Sequence, residues 1–150
     1  MGDFMEECIF CKIVKNEIPS KKVYEDASTV GFLDINPASL GHTIVIPKKH
    51  YSNIYDVGED DLNKTIGIVK ILAERIKNRL NADGVNVLQN NGRHAGQIVD
   101  HVHFHIIPRY ENDDIMIKFP RPHVSEEDMK AVQDKLKEEE KRNIGTSKWI

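Results

Sequence analysis

Residues 101–107 read His101-Val102-His103-Phe104-His105-Ile106-Ile107, so that three histidines alternate with apolar residues. Successive side chains of a β-strand point to opposite faces, and this pattern therefore predicts a strand over 102–107 with the three imidazoles on one face. Val102 and Phe104 would enter the core on the other face. Imidazoles spaced roughly 7 Å apart along a strand could surround one phosphate group.

The three histidines could act as nucleophile and acid, or as metal ligands. A neutral imidazole is a nucleophile, whereas a protonated ring is an acid and binds anions. Histidine has an ordinary pKa of about 6.5, so neighbouring charges can favour either form. A metal cluster built on alternating positions, or three surface histidines, would show the same spacing. The spacing alone leaves this choice open.

The rest of the chain predicts a small α+β domain around this strand. Segments rich in apolar residues and bounded by turn residues predict strands at 23–25, 29–34, 43–46, 85–88 and 102–107. Apolar residues recur every three or four positions from Glu59 to Leu80, which predicts a long amphipathic helix. The last two strands should form a hairpin around the glycine-containing loop 90–97. We expect a five-stranded, mainly antiparallel sheet with the long helix packed on it.

The C-terminal part of the chain predicts one more helix. Ser125 is followed three residues later by Asp128, which is typical of a helix N-terminus, and the next residues carry a narrow apolar stripe. No repeat or linker interrupts the 150 residues. We therefore expect a single domain over 1–150, with a core over about 8–110 and a helical extension over 111–150.

Charge and hydropathy exclude some classes of partner. The formal net charge of -3 gives no general attraction to nucleic acid or to an anionic membrane. The pair Lys48 and Lys49, without interleaved aromatic residues, is a weak nucleic-acid footprint. No apolar run approaches the roughly 20 residues of a transmembrane helix, and the acidic N-terminus lacks signal-peptide features. We expect a cytoplasmic protein without membrane or nucleic-acid partners.

The two cysteines, Cys8 and Cys11, form a Cys-x-x-Cys pair. In a reducing compartment such a pair more often holds a metal or performs redox chemistry than staples a fold. A thioredoxin-like role is disfavoured because the pair does not follow a strand in a βαβ pattern. A structural zinc ion needs four ligands, so histidines would have to complete the site. Two reduced cysteines without a ligand are the alternative.

Several segments resemble, in sequence and in order, the histidine-triad family of nucleotide hydrolases and transferases. These segments are 8–13, 32–37, 41–50, 96–97 and 101–107. The resemblance implies a homodimer in which two five-stranded sheets join into one ten-stranded sheet. His105 argues against the branch of hexose-phosphate transferases, whose motif ends in glutamine. Asn90 stands where dinucleoside polyphosphate hydrolases tend to have glutamine, which favours the phosphoramidase-like, prokaryotic branch.

The resemblance also implies roles for individual residues. His103 would attack the α-phosphate of a purine nucleotide conjugate and form a nucleotidyl-histidine intermediate that water resolves. His105 would contact the phosphate and assist the leaving group, and the first histidine, His101, completes the triad. Asn90, Gln97 and the backbone at Gly96 would orient the phosphoryl oxygens. The residues implied in binding the nucleoside, or in lying close to it, are Phe10, Ile13, Phe32, Asp34, Ile35 and His42.

In this assignment Asp34 accepts hydrogen bonds from the ribose hydroxyls, although by itself it would be an ordinary turn-capping aspartate. The four apolar residues would form a slot for the purine. Prokaryote-like members bind zinc with four residues that map to Cys8, Cys11, His50 and His101. The chemistry itself needs no cofactor. One departure is Ile98, where some relatives carry a serine or threonine that contacts the phosphate.

The leading hypothesis is a purine nucleoside phosphoramidase acting on adenosine or guanosine monophosphate conjugates. A dinucleoside polyphosphate hydrolase is the second, and a nucleotide-binding regulatory protein with little turnover is the third. A purely structural zinc module would be a different class. Trp149 and Ile150 could close over a partner's pocket, pack on the dimer or be disordered.

Overall fold

A computed structural model of the chain describes residues 7–137. The helices are α1 (Ile9–Val14), α2 (Glu59–Arg79) and α3 (Glu126–Lys137), and the strands are β1 (Lys22–Glu25), β2 (Thr29–Leu33), β3 (Thr43–Pro47), β4 (Gly84–Gln89) and β5 (Phe104–Arg109). One compact unit extends to Ile115 and a second begins at Met116. The sheet and the site lie in the first unit. Trp149 and Ile150 lie outside the described residues.

The five strands form one sheet in the order β1-β2-β3-β5-β4, and every neighbouring pair is antiparallel. The turn between β1 and β2 is held by Asp26, whose carboxylate accepts the backbone N–H groups of Ser28 and Thr29. Strands β4 and β5 form the expected hairpin. The predicted α+β class and antiparallel sheet are confirmed.

Helix α2 covers one face of the sheet. Its residues Ile68, Val69, Leu72 and Ile76 pack with Val45, Phe104 and Ile106 of the sheet. Gly31 permits this close approach, because a Cβ atom there would lie 2.7 Å from Leu72 Cδ1. Residues on the opposite face, such as Phe32 and Ile44, pack with α1 instead. The two faces of the sheet therefore serve different purposes, and the second one carries the site.

Strand β5 begins at Phe104 and not at Val102, which corrects the prediction of one continuous strand through the histidines. The preceding residues make other bonds: Val102 N–H donates to the carbonyl of Tyr51 (2.7 Å). His105 therefore lies within the paired strand, whereas His101 and His103 lie before it. Val102 and Phe104 are buried, as expected.

The sequence-based expectation failed for helix α1 and succeeded for the start of helix α3. Helix α1 was not predicted, because six residues are too few to show a helical period. Helix α3 begins as predicted: the Ser125 hydroxyl accepts the Asp128 backbone N–H (3.1 Å) and donates to its carboxylate (2.8 Å). Among the described residues, no helix is both long and apolar enough to cross a membrane.

Candidate active site and metal centre

A cavity of about 530 Å³ opens on the sheet face that α2 leaves free. Of the residues singled out from the sequence, those that line it are Phe10, Ile13, Phe32, Asp34, Ile35, His42, Asn90, Gly96, Ile98, His103 and His105. Further lining residues that the sequence reasoning missed include Ile44 and Leu88. Both face the same side of the sheet as His105, as their register positions show. Strand alternation combined with pairing would have identified them, but pairing is not visible in the sequence.

His103 is held in one tautomer by the backbone. Its Nδ1 lies 2.6 Å from the carbonyl oxygen of His101. A carbonyl oxygen only accepts, so Nδ1 carries the proton and the neutral ring keeps its lone pair on Nε2. Burial lowers the pKa of His103, an effect that the His101 carbonyl and Asp34 partly offset. At neutral pH the ring is therefore neutral, and it lines the cavity with a free lone pair on Nε2.

His105 has the opposite arrangement. The backbone N–H of Ala38 donates to Nδ1 of His42 (3.0 Å), so the proton of a neutral His42 lies on Nε2. That proton is directed at Nδ1 of His105, 2.9 Å away. The proton of a neutral His105 therefore lies on Nε2. Burial and then the rings of His103 and His42 together lower the pKa of His105 to about 4, although Asp34 acts to raise it.

Asp34, His42 and His105 bring one ligand atom each within 4.8 Å of one another. The Asp34 carboxylate lies 3.6 Å from Nε2 of His42. A metal ion bound there would have to displace the proton that the Ala38 bond places on that nitrogen. The group is therefore better suited to hold and move protons than to bind a cation.

The loop between β4 and β5 borders the cavity at Asn90 and Gly96. Gly92 and Gly96 have φ angles of +85° and +91°, a region that residues with a Cβ rarely adopt. Gln97, which is expected to orient the phosphoryl oxygens, is not among the residues that line the cavity. Its buried carboxamide accepts the Gly92 N–H (2.8 Å) and donates to the carbonyls of Ser52 (2.6 Å) and Val99 (3.0 Å). The side chain therefore positions the loop and has no donor left for a ligand.

The apolar end of the cavity combines α1 with the sheet. Phe10 packs edge-on against Phe32 (5.4 Å between ring centroids) and against His103 (5.2 Å). Ile35 is 84% exposed and lies at the rim. Asp34 lines the cavity, and its Oδ1 accepts the Asn36 N–H (2.8 Å), which is the bond of a turn-capping aspartate.

Cys8, Cys11, His50 and His101 form a second cluster beside the cavity, with one ligand atom each within 4.8 Å of the others. Nδ1 of His101 lies 3.6 Å from both sulfur atoms, and Nδ1 of His50 lies 3.3 Å from that of Cys11. Tetrahedral zinc, with Zn–S near 2.3 Å and Zn–N near 2.0 Å, places sulfur and nitrogen roughly 3.6 Å apart. The four residues therefore fit a zinc ion.

The protonation states also suit a metal. Nε2 of His101 donates to the carbonyl of Pro47 (2.8 Å), which leaves the lone pair of Nδ1 directed at the thiols. Burial lowers the pKa of His101 to about 4, so the ring is neutral. Burial and the neighbouring Cys8 raise the pKa of Cys11 to about 11. A bound cation would reverse this effect and stabilise both thiolates.

Comparison with known proteins identifies similar sequences and folds. The family model of the HIT domain matches residues 15–112. An adenosine 5'-monophosphoramidase of Candida albicans is 43% identical over 137 residues, which cover 88% of this chain and 90% of that protein.

Two solved structures are similar over nearly the whole fold. A member of the HIT family from Bacillus subtilis has a TM-score of 0.81 and 40% identity, covering 87% of this chain and 94% of the other. A Zn-bound histidine triad family protein from Mycobacterium smegmatis has a TM-score of 0.70 and 34% identity, covering 88% of this chain and 96% of the other. The family model covers most of the chain and the solved structures share its fold, so the chain belongs to the HIT, or histidine-triad, family.

Proposed function

We propose that this protein hydrolyses conjugates of a purine nucleoside 5'-monophosphate, with phosphoramidates as its principal substrates. The observation that carries the proposal is the pair of complementary tautomers in one cavity: a free lone pair on Nε2 of His103 and a proton on Nε2 of His105. A nucleophile and an acid on neighbouring rings, 4.9 Å apart between centroids, suit displacement at phosphorus. The adenosine 5'-monophosphoramidase among the relatives supports adenylate as the nucleotide.

In the first step, the lone pair of His103 Nε2 attacks the α-phosphorus. The P–N bond of the substrate breaks, and the amine leaves with its electron pair and with the proton of His105 Nε2. The negative charges of the bound phosphoryl group favour the protonated form of His105 that this step needs. Water then attacks the nucleotidyl-histidine, its hydroxyl joins phosphorus, and its other proton returns to His105. The P–N bond to His103 breaks, and the lone pair returns to Nε2.

The two ends of the cavity would bind different parts of the nucleotide. The purine would lie in the apolar slot between α1 and the sheet, with the ribose hydroxyls near Asp34. Asn90 and the backbone at Gly96 would orient the phosphoryl oxygens, since preorganised donors stabilise charge as it develops. Gln97 supports this loop from behind and does not itself contact the nucleotide.

We also propose that Cys8, Cys11, His50 and His101 hold a structural zinc ion. Zinc would tie the N-terminal segment to the region before β5 and take no part in the reaction. The Zn-bound relative supports this assignment. His101 links the two sites, because its ring faces the thiols while its carbonyl sets the tautomer of His103.

The chain is further proposed to form a homodimer by pairing of β4, which lies at one edge of the sheet with β5 as its only neighbour among the described strands. Val87 on this strand is 47% exposed. An unpaired edge can add a strand from a second copy, which would produce the ten-stranded sheet.

The test is hydrolysis of adenosine 5'-phosphoramidate by the wild type, His103→Ala and His123→Ala. We expect the first substitution to reduce kcat by a factor of about 1,000 or more, as for loss of a nucleophile. His123 is exposed and outside the cavity, so its variant should retain full activity. Preferential cleavage of diadenosine polyphosphates would favour the second hypothesis. Tight AMP binding with no turnover of either substrate would favour a regulatory protein.

A further inference from the structure

We propose that Cys8 and Cys11 form a redox switch of nucleoside binding. Oxidation by a hydroperoxide joins the two cysteines in a disulfide, ends metal binding at their cluster and weakens binding of the nucleobase in the cavity. The inference rests on the proposed function, because it takes the cavity as a nucleoside site and the cluster as a zinc site. It adds a way in which an oxidant would regulate both.

The two residues between the cysteines belong to the cavity. Ile9 and Phe10 both line it, and the Phe10 ring packs edge-on against His103 with 5.2 Å between ring centroids. The backbone N–H of Lys12 donates to the carbonyl of Cys8 (3.1 Å), so one helical turn contains both cysteines and both cavity residues. A change in the distance between the cysteines therefore acts on the turn that holds Ile9 and Phe10.

The two sulfur atoms are near each other and near the histidines of the cluster. All four ligand atoms, the two sulfurs included, lie within 4.8 Å of one another. Residues three apart on a helix have Cβ atoms roughly 5–6 Å apart, whereas a disulfide needs roughly 3.5–4.5 Å. Forming the bond therefore requires this turn to tighten. Neither sulfur then remains a thiolate ligand.

The oxidation would begin at Cys8, which is half-buried, whereas Cys11 is buried. The Cys8 thiolate attacks one oxygen of the hydroperoxide, the O–O bond breaks, and the sulfur becomes a sulfenic acid. The Cys11 thiolate then attacks this sulfur, the S–O bond breaks, and the disulfide forms. With hydrogen peroxide as the oxidant, each step releases one hydroxide, and two protons from the solvent convert both to water. The sulfurs lose two electrons in total, and the peroxide gains them.

The disulfide would loosen the attachment of α1 to the rest of the fold. The Cys11 sulfur meets His50 and His101 across 39 and 90 positions of the chain. Two histidines without the thiolates are too few for a structural zinc site, which needs four ligands. Helix α1 then keeps its apolar packing but loses its metal link, and Phe10 is less firmly held in the base slot. Nucleoside binding should weaken as a result.

The test compares zinc-loaded protein before and after treatment with hydrogen peroxide. Three quantities are measured: zinc released to a colorimetric chelator, free thiols by mass spectrometry after alkylation, and the affinity for adenosine by calorimetry. The chain has two cysteines, so the thiol count reports on this pair alone. We expect one zinc ion released per disulfide and adenosine binding weaker by about tenfold, the scale of losing part of an aromatic contact.

Two controls separate the disulfide from other oxidation. Cys8→Ser cannot form it but keeps all four methionines, so peroxide should leave the adenosine affinity of this variant at its untreated value. Dithiothreitol with added zinc should restore the affinity of the oxidised wild type, because a disulfide is reduced by thiols whereas methionine sulfoxide requires dedicated reductases. The second control needs no variant and therefore holds even if Cys8→Ser fails to fold.

The outcomes separate the inference from the proposed function. Two free thiols after peroxide treatment, or a disulfide-bonded protein with unchanged adenosine affinity, would overturn the switch alone. An equal loss of affinity in Cys8→Ser, or a loss that dithiothreitol and zinc do not reverse, would also overturn it alone. A reduced, zinc-loaded protein that binds no adenosine would overturn the proposed function as well, and a reduced protein that binds no zinc would overturn the switch together with the proposed zinc site.

Discussion

Replacing Gln97 by glutamate tests whether this residue positions the loop between β4 and β5 that borders the cavity. Gln97 is 3% exposed, and its amide nitrogen donates to the carbonyls of Ser52 and Val99. In Gln97→Glu an oxygen replaces that nitrogen, so both carbonyls lose their donor and face a carboxylate. Each buried acceptor left unsatisfied costs roughly 1–3 kcal/mol, so the free energy of unfolding of the variant should be lower by about 3 kcal/mol.

The Gln97→Glu variant should bind the phosphate part of a nucleotide more weakly, while binding of the nucleoside part should change little. Asn90 and Gly96 lie on the loop that Gln97 supports, whereas the base slot is built by α1 and the sheet. Calorimetry should therefore show weaker binding of AMP, by about tenfold if 1.4 kcal/mol of phosphate positioning is lost, with adenosine nearly unaffected. Urea denaturation measures the stability change.

The matched control is Gln89→Glu, which removes donors to Asn91 and to the Asn90 carbonyl at the start of the same loop. Because Gln89 is only partly buried, its variant should lose less than about 1 kcal/mol. Equal weakening of AMP and adenosine in Gln97→Glu would refute the positioning role, and an unchanged free energy of unfolding would refute the hydrogen-bond argument.

Three further predictions concern the metal, the core and the histidines. Cys11→Ser should bind less zinc by metal analysis and should weaken adenosine binding, because α1 carries both Cys11 and Phe10; unchanged adenosine affinity would contradict this link. Leu72→Ala should lower the free energy of unfolding by about 3 kcal/mol in urea titrations, since Leu72 is 1% exposed, while Ile66→Ala, at a position 45% exposed, should cost under about 1 kcal/mol. The pKa of His105 is lowered to about 4, so as the pH falls the unfolded chain binds a proton at this residue first, near pH 6.5. The free energy of unfolding should therefore decrease from pH 6.5 toward pH 4, and it should decrease less steeply in His105→Asn. Identical slopes in the two proteins would rule this out.

The local periods of the chain were sufficient to predict most of the fold. Alternation in a strand and a three-to-four-residue repeat in a helix are properties of the backbone, so the segments around β3 and α2 could be placed within a few residues. The cap at Ser125 is equally local. The sequence also contained the residue types of both sites, including the Cys-x-x-Cys pair. The roles of these residues were assigned from the resemblance to a family, because no local pattern specifies them.

Only the tertiary structure decided how those residues are used. The Cys8 sulfur meets His101 across 93 positions of the chain, and His42 meets His105 across 63. The tautomers of His103 and His105 depend on carbonyl and amide groups that no pattern of side chains encodes. The start of β5 only after the first two histidines, and the inward turn of the Gln97 carboxamide, depend equally on distant partners. A sequence pattern specifies which face a side chain takes, but a proton's position is set by the neighbour that folding brings to it.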